Sequence, residues 1–175
     1  MEQLFVLEMI AETRRRIGRN NSGQGDLFSA CALKRVTDRE LAGAAHSALF
    51  PGVKEMLVEL RRRGIKTGIL TRNCLEAVTA IFPEVRDYSD AVVTRDDTER
   101  VKPHPDHMRA VLRLLNEEPS NCAMVGDHPM DIRVGKEVGA LAVGVLTGYS
   151  GISDLQGAGA DLILERAADL TARLA

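Results

Sequence analysis

From Pro51 onward the chain alternates short apolar runs with amphipathic stretches, and this rhythm constrains the fold more than any other feature. The runs are IKTGIL (65–70), AVVT (91–94), CAMVG (122–126), LAVGVL (141–146) and DLILE (161–165). Between them lie helical patterns over Val53–Arg63, Leu75–Phe82, Pro105–Leu115 and Ile132–Val138, with a terminal helix after Glu165. Runs of this length bounded by Gly, Pro and polar residues read as buried strands. Strands separated by whole helices cannot be hairpin partners; each returns to the sheet by a crossover and pairs in parallel. Residues 51–175 are therefore expected to form an α/β fold, a three-layer Rossmann-like parallel sheet with helices on both faces. In such sheets ligands bind at the carboxyl ends of strands.

The first 50 residues follow a different pattern. Leu4, Leu7, Ile10 and Ile17 share a helical face over 4–17, and Gly18 can end that helix. Arg19–Gly25 reads as a loop by composition. Helices are expected over 27–36 and 38–49, the second opened by Thr37 or Asp38. The segment LFVLEMI could also be placed as a strand with Glu8 near its end, although its spacing favours a helix.

Composition closes off several functions. A net charge of -2 makes no electrostatic case for nucleic acid or an anionic membrane. Aromatic residues are 3% and Trp is absent, which argues against a base-stacking surface. Cys31, Cys74 and Cys122 are far apart and odd in number, as expected of reduced cytoplasmic thiols. No apolar run approaches the roughly 18 residues of a membrane span. The N-terminus has no basic region of the signal-peptide kind.

Three polar sites stand just beyond predicted strands. Thr71-Arg72-Asn73 follows IKTGIL, and a hydroxyl with free backbone N–H groups there suits an anionic oxygen as well as it suits a simple helix cap. Lys102 lies in KPHP, its ammonium a compact charge for phosphate, its flanking prolines holding the backbone extended and opening the next helix. Asp127 and Asp131, in VGDHPMD, place two carboxylates four residues apart at a strand–helix junction, a spacing that can serve a hard cation. Read separately, Asp127 is a turn residue and Asp131 a helix cap. In this order, each at a strand exit, the three sites support one another.

The stretches LFPGVKEMLVELRRRGIKTGILTRN, VVTRDDTERVKPHPDHM and MVGDHPMDIRVGKEVGALAVGVLTG resemble the core of the haloacid dehalogenase superfamily, most of all its phosphoglycolate-phosphatase-type members. The resemblance implies a Mg²⁺-dependent phosphatase of a small phosphorylated metabolite, with a short N-terminal helical cap over 1–50. It implies that Thr71 binds the phosphoryl group, that Lys102 neutralises its charge, and that Asp127 holds the metal. Asp131 would support the metal, directly or through water, and pair with Lys102. Arg72, Asn73 and His128 would be substrate contacts.

The resemblance also implies a nucleophilic aspartate in an Asp-x-Asp-Gly-Thr motif at the end of a central strand. No Asp-x-Asp occurs in the sequence. The segment EQLFVLEMIAETRRRIG looks like the cap helix that follows that motif in the family, so the chain reads as beginning just after it. Two strands flanking the missing one would then lack a partner, to be offset by a compensated sheet, by a homodimer or by lower stability. Impaired turnover is expected, and a non-catalytic phosphate- and Mg²⁺-binding regulator is the alternative. A dehalogenase or phosphomutase would share the same core residues. A receiver-like protein is disfavoured, because its acidic cluster would precede the Thr and Lys. The histidines His104, His107 and His128 have no zinc-ligand spacing, and Cys74 reads as a small buried thiol.

Overall fold

The computed structural model describes residues 5–148 and 150–174. The chain divides into two compact units, residues 1–47 and 48–175.

The first unit is a helix pair. Helix α1 spans Val6–Gly18 and α2 spans Ser22–Ala44. Where two helices over 27–36 and 38–49 were expected, α2 runs unbroken to Ala44, and its start lies inside the expected 19–25 loop. The Asn21 side chain accepts the Gln24 N–H and caps the helix, while Lys34 pairs with Asp38 one turn on. Thr37 and Asp38 are thus helix interior. Gly25 is tolerated because α2 crosses α1 there: a Cβ would stand 2.7 Å from the Arg14 carbonyl oxygen. The strand alternative for LFVLEMI is overturned from Val6 onward, since Val6–Gly18 is helical; Leu4 lies outside the described residues.

The second unit has the expected alternation. Its elements are α3 (Val53–Arg62), β1 (Gly68–Leu70), α4 (Leu75–Ile81), α5 (Val85–Tyr88), β2 (Ala91–Val93), α6 (Asp106–Leu115), β3 (Ala123–Gly126), α7 (Pro129–Val138), β4 (Leu141–Val145), α8 (Ile152–Gly157) and β5 (Leu162–Leu164). The terminal helix is a 3₁₀ segment, Ala167–Ala172. Helices α5 and α8 were not anticipated; at 4 and 6 residues they are too short to show a periodic pattern. All strand pairings are parallel.

Helices cover both faces, as the period of two along each strand requires. Ile69 and Val92 pack with Leu57 of α3, Phe82 at the end of α4 and Val85 of α5. Leu70, Ala91 and Val93 pack on the other face with Val111 and Leu115 of α6. Ala142 packs with Ile132 and Leu155, whereas Val143, Val145 and Leu164 meet Ala167 and Leu170.

The sheet, however, is in two parts, β1–β2 and β3–β4–β5. Among the described residues no strand pairs the second edge of β1 or the outer edge of β3. In a parallel ladder alternate residues face one neighbour. Thr67 O and Thr71 N bond to β2, so Gly68 and Leu70 present their N–H and C=O groups to the open edge. Cys122 O bonds to Leu141 N, so Ala123 and Val125 do the same on β3. The expectation that IKTGIL is buried is corrected accordingly: only Gly68–Leu70 form strand, and none of them is buried, while one edge of β1 has no strand neighbour among the described residues. Helix α6 bridges the two parts, with Met108 and Leu112 packing beside Met124, Val134 and Leu70.

Candidate functional site

The carboxyl ends of β1 and β3 carry the residues singled out from the sequence. Thr71 follows β1 directly; its N–H donates to the Val93 carbonyl at 3.0 Å, and its Oγ1 accepts the Asn73 N–H at 3.2 Å. Asn73 is exposed, and its carbonyl accepts the Arg95 N–H at 3.3 Å, tying this turn to the one after β2. That second turn is stapled by Asp97, whose carboxylate accepts both the N–H and the hydroxyl of Thr94 at 2.7 Å. These bonds hold the Asp97 carboxyl below its ordinary pKa. Arg72 reaches towards the start of α7, its Nη1 3.4 Å from the Met130 sulfur.

Lys102 is the centre of the arrangement. It follows β2 by way of the 3₁₀ turn Arg95–Asp97 and is joined to Pro103 by a cis peptide bond. It is 8% exposed. Its ammonium donates to the Leu70 carbonyl at 3.1 Å and to Asp131 Oδ1 at 2.7 Å. The Leu70 carbonyl is one of those turned to the open edge of β1, so this lysine satisfies it. Lys102 thereby links the end of β1 to the start of α7, across the division of the sheet. A nitrogen with three protons and two such acceptors keeps one donor for a further group.

Asp131 lies in the first turn of α7. Its Oδ2 accepts the His128 N–H at 3.3 Å, and His128 Nδ1 accepts the Met130 N–H at 3.0 Å, a reciprocal cap that fixes both side chains. Gly126 makes room for it: a side chain there would occupy the space of the Asp131 carboxylate. Asp127 is half-buried, its carboxylate lying against Gly148. His128 is exposed at the rim.

Both oxygens of Asp131 are engaged, so Asp127 is the carboxylate open to a cation. Among the described residues no group of three or more His, Cys, Asp or Glu side chains converges as a metal cage. This donor set fits a hard ion that keeps most of its own water, such as Mg²⁺, and does not fit a protein-enclosed ion. His104, His107 and His128 do not converge. Cys74 is buried and precedes α4.

One residue of the site was passed over in the sequence. His107, on α6, is fully buried, and its Nδ1 accepts the Lys102 main-chain N–H at 3.1 Å. Burial first, and then the Lys102 charge, depress its pKa to about 4, so the ring is neutral. The signal was a polar residue on the apolar face of a helix whose other buried members are Met108, Val111, Leu112 and Leu115.

Among the described residues no helix is long and apolar enough to cross a membrane. A family model described as haloacid dehalogenase-like hydrolase matches residues 7–139. The chain is 35% identical over 123 residues to pyrophosphatase PpaX of Bacillus cereus, a match covering 69% of this chain and 57% of that protein. The chain thus spans less than two thirds of that relative. A hydrolase from Pseudomonas syringae superposes with a TM-score of 0.69 at 25% identity, covering 89% of this chain and 71% of the other. CbbY from Rhodobacter sphaeroides in complex with phosphate superposes with a TM-score of 0.68 at 29% identity, covering 81% and 65%.

Proposed function

The chain belongs to the haloacid dehalogenase-like hydrolase family and is an enzyme by family, and on that premise we propose that its site binds the phosphoryl group of a small organic phosphomonoester, of the phosphoglycolate type, in a Mg²⁺-dependent phosphatase. The observation that carries this reading is the buried Lys102 ammonium, held at 2.7 Å from Asp131 and 3.1 Å from the Leu70 carbonyl with one donor to spare. A cation fixed at a strand exit neutralises charge on phosphoryl oxygens without reorganising.

The other residues take complementary parts. Thr71 Oγ1 already accepts from Asn73, which leaves its proton for a phosphoryl oxygen. Arg72 and Asn73 border the same opening. His128 accepts at Nδ1, which places its proton on Nε2 as a rim donor. Asp127 would hold Mg²⁺ directly. Asp131, with both oxygens occupied, would act on it through water while keeping Lys102 in place. When bound, the ion supplies Lewis-acid charge stabilisation. Residues 1–50 would be the helical cap and 51–175 the catalytic core. The pyrophosphatase name of one relative and the phosphate bound to another support a phosphorylated substrate. Three free cysteines suit a cytoplasmic setting.

Thr71, Lys102, Asp127 and Asp131 hold and neutralise; none of them stands as the nucleophilic carboxylate of an Asp-x-Asp pair, which the sequence lacks. Low turnover by this chain is therefore expected. The test is isothermal titration of inorganic phosphate with and without Mg²⁺, beside hydrolysis of an aryl phosphate and of pyrophosphate. Phosphate binding that Mg²⁺ strengthens and that Lys102→Ala reduces at least tenfold supports the site. Equal binding by Lys102→Ala, or none by the parent chain, would falsify it.

A further inference from the structure

The buried imidazole of α6 has no part in the phosphate contacts, yet the fold keeps it fully enclosed. His107 is 0% exposed, and the Thr94 and Val93 carbonyls act on its ring. Its neighbours on that helix face are apolar, so packing alone would be served by Leu or Phe. On its Nδ1 side the ring accepts the main-chain N–H of Lys102, at 3.1 Å.

That bond stands at the root of a chain of contacts ending in the phosphate site. Lys102 continues through its ammonium to Leu70 O and Asp131 Oδ1, and Asp131 continues to the His128 N–H. A lysine side chain has four rotatable bonds, and where its ammonium falls depends on where its main chain starts. The neighbouring turn provides a second brace from the same helix start: the His104 N–H donates to the Val101 carbonyl at 2.9 Å. His107 adds a fixed acceptor on the rigid side, since its helix is packed against both parts of the sheet. Because Nδ1 accepts, the ring proton resides on Nε2.

We infer that His107 is the positioning residue of Lys102: its Nδ1 anchors the Lys102 main-chain N–H to α6 and so sets where the Lys102 ammonium meets an anionic oxygen. This rests on the reading of Lys102 as the phosphoryl-binding cation. An acceptor at the δ position is what the role demands, so Asn is the conservative replacement and Phe the one that keeps bulk and removes the acceptor.

The experiment uses the whole 175-residue chain and two readouts. The first is nuclear magnetic resonance on ¹⁵N-labelled protein. The N–H···N bond should give a through-hydrogen-bond coupling between the Lys102 amide nitrogen and His107 Nδ1, with the ring in the Nε2–H form. A missing coupling, or the other tautomer, overturns the inference whatever binds. The second is titration of inorganic phosphate with Mg²⁺ against His107→Phe, His107→Asn and Lys102→Ala, each first shown to melt cooperatively. His107→Phe should weaken phosphate binding about tenfold, His107→Asn by about twofold or less, and Lys102→Ala most of all. If Lys102→Ala loses binding while a folded His107→Phe keeps it, His107 is packing only and the inference falls alone. If Lys102→Ala binds as the parent does, the phosphate-site reading falls and takes the inference with it. If His107→Asn is as weak as His107→Phe, the acceptor is not what matters, and the inference is wrong.

Discussion

The two parts of the sheet are built from similar residues and are buried to different degrees. In β3–β4–β5 the middle strand has a neighbour on each side, and Ala142 through Val145 are all buried. In β1–β2 no strand has two neighbours, and Ile69 and Leu70 stay half-buried although they are as apolar as Val143 and Val145. Burial therefore does not follow side-chain hydrophobicity alone; on β2, which also has one strand neighbour, Ala91 and Val93 are buried against α6, whereas β1 stays half-open. Backbone satisfaction differs too: β4 can spend every N–H and C=O on its neighbours, whereas β1 leaves Gly68 and Leu70 facing outward and recruits Lys102 for one of those carbonyls. The site stands at the carboxyl ends of β1 and β3, where Lys102 joins the Leu70 carbonyl to Asp131.

This comparison can be broken at several points. The largest effect is expected from Lys102→Met, which leaves the Asp131 carboxylate buried and unpaired; urea unfolding should show a loss of about 3–5 kcal/mol, with much of it restored by adding Asp131→Leu. An exposed, dispensable pair would show less than about 1 kcal/mol instead. Next is a matched pair of truncations. Leu155→Ala, at a fully buried position under β4, should cost about 3 kcal/mol, and Leu70→Ala, on the half-open strand, about half of that. Equal costs would mean that β1 is as well enclosed as β4.

A smaller effect is expected from acid. The folded pKa of His107 is about 4 against an ordinary 6.5, so between those values the unfolded chain binds the extra proton. Stability from this group is complete above pH 6.5 and falls as pH is lowered towards 4, by about 3 kcal/mol in total. Lys102 and Arg72 press the pKa down, while the carbonyls of Thr94 and Val93 and the Asp97 carboxylate oppose them. The urea midpoint of His107→Phe should lose this part of the pH dependence; an unchanged profile would show that the imidazole is not the group responsible. The smallest and most local effect is in amide exchange. Gly68, Leu70, Ala123 and Val125 should exchange well ahead of Val143 and Val145. Comparable protection at all six would show that the open edges are covered in solution.

Much of the core unit was legible because strands and helices carry different periods. The boundaries of α3, α6 and β4 lie within one residue of the sequence expectation. What failed did so for tertiary or very local reasons. Helix α2 absorbed a Gly-containing stretch that composition assigned to a loop, because Asn21 caps it and Gly25 lets two backbones meet. IKTGIL shrank to a three-residue strand, because only Gly68–Leu70 pair with Ala91–Val93. His107 was dismissed with the other histidines, since a one-dimensional pattern shows that it falls on a helix face but not what its ring touches.

The sequence by itself determined the α/β alternation, the parallel pairing and the succession of Thr71, Lys102, Asp127 and Asp131 at strand exits, all of which depend on local periodicity and chain order. Only the tertiary structure decided that Lys102 is buried against Asp131 and capped onto Leu70, that His107 anchors it, and that the sheet stands in two parts, each with an edge that no described strand pairs. Those are matters of which surfaces exclude water and which backbone groups find partners, and a local pattern does not show them, whether the partners are 29 positions apart, as Lys102 and Asp131 are, or 5, as Lys102 and His107 are.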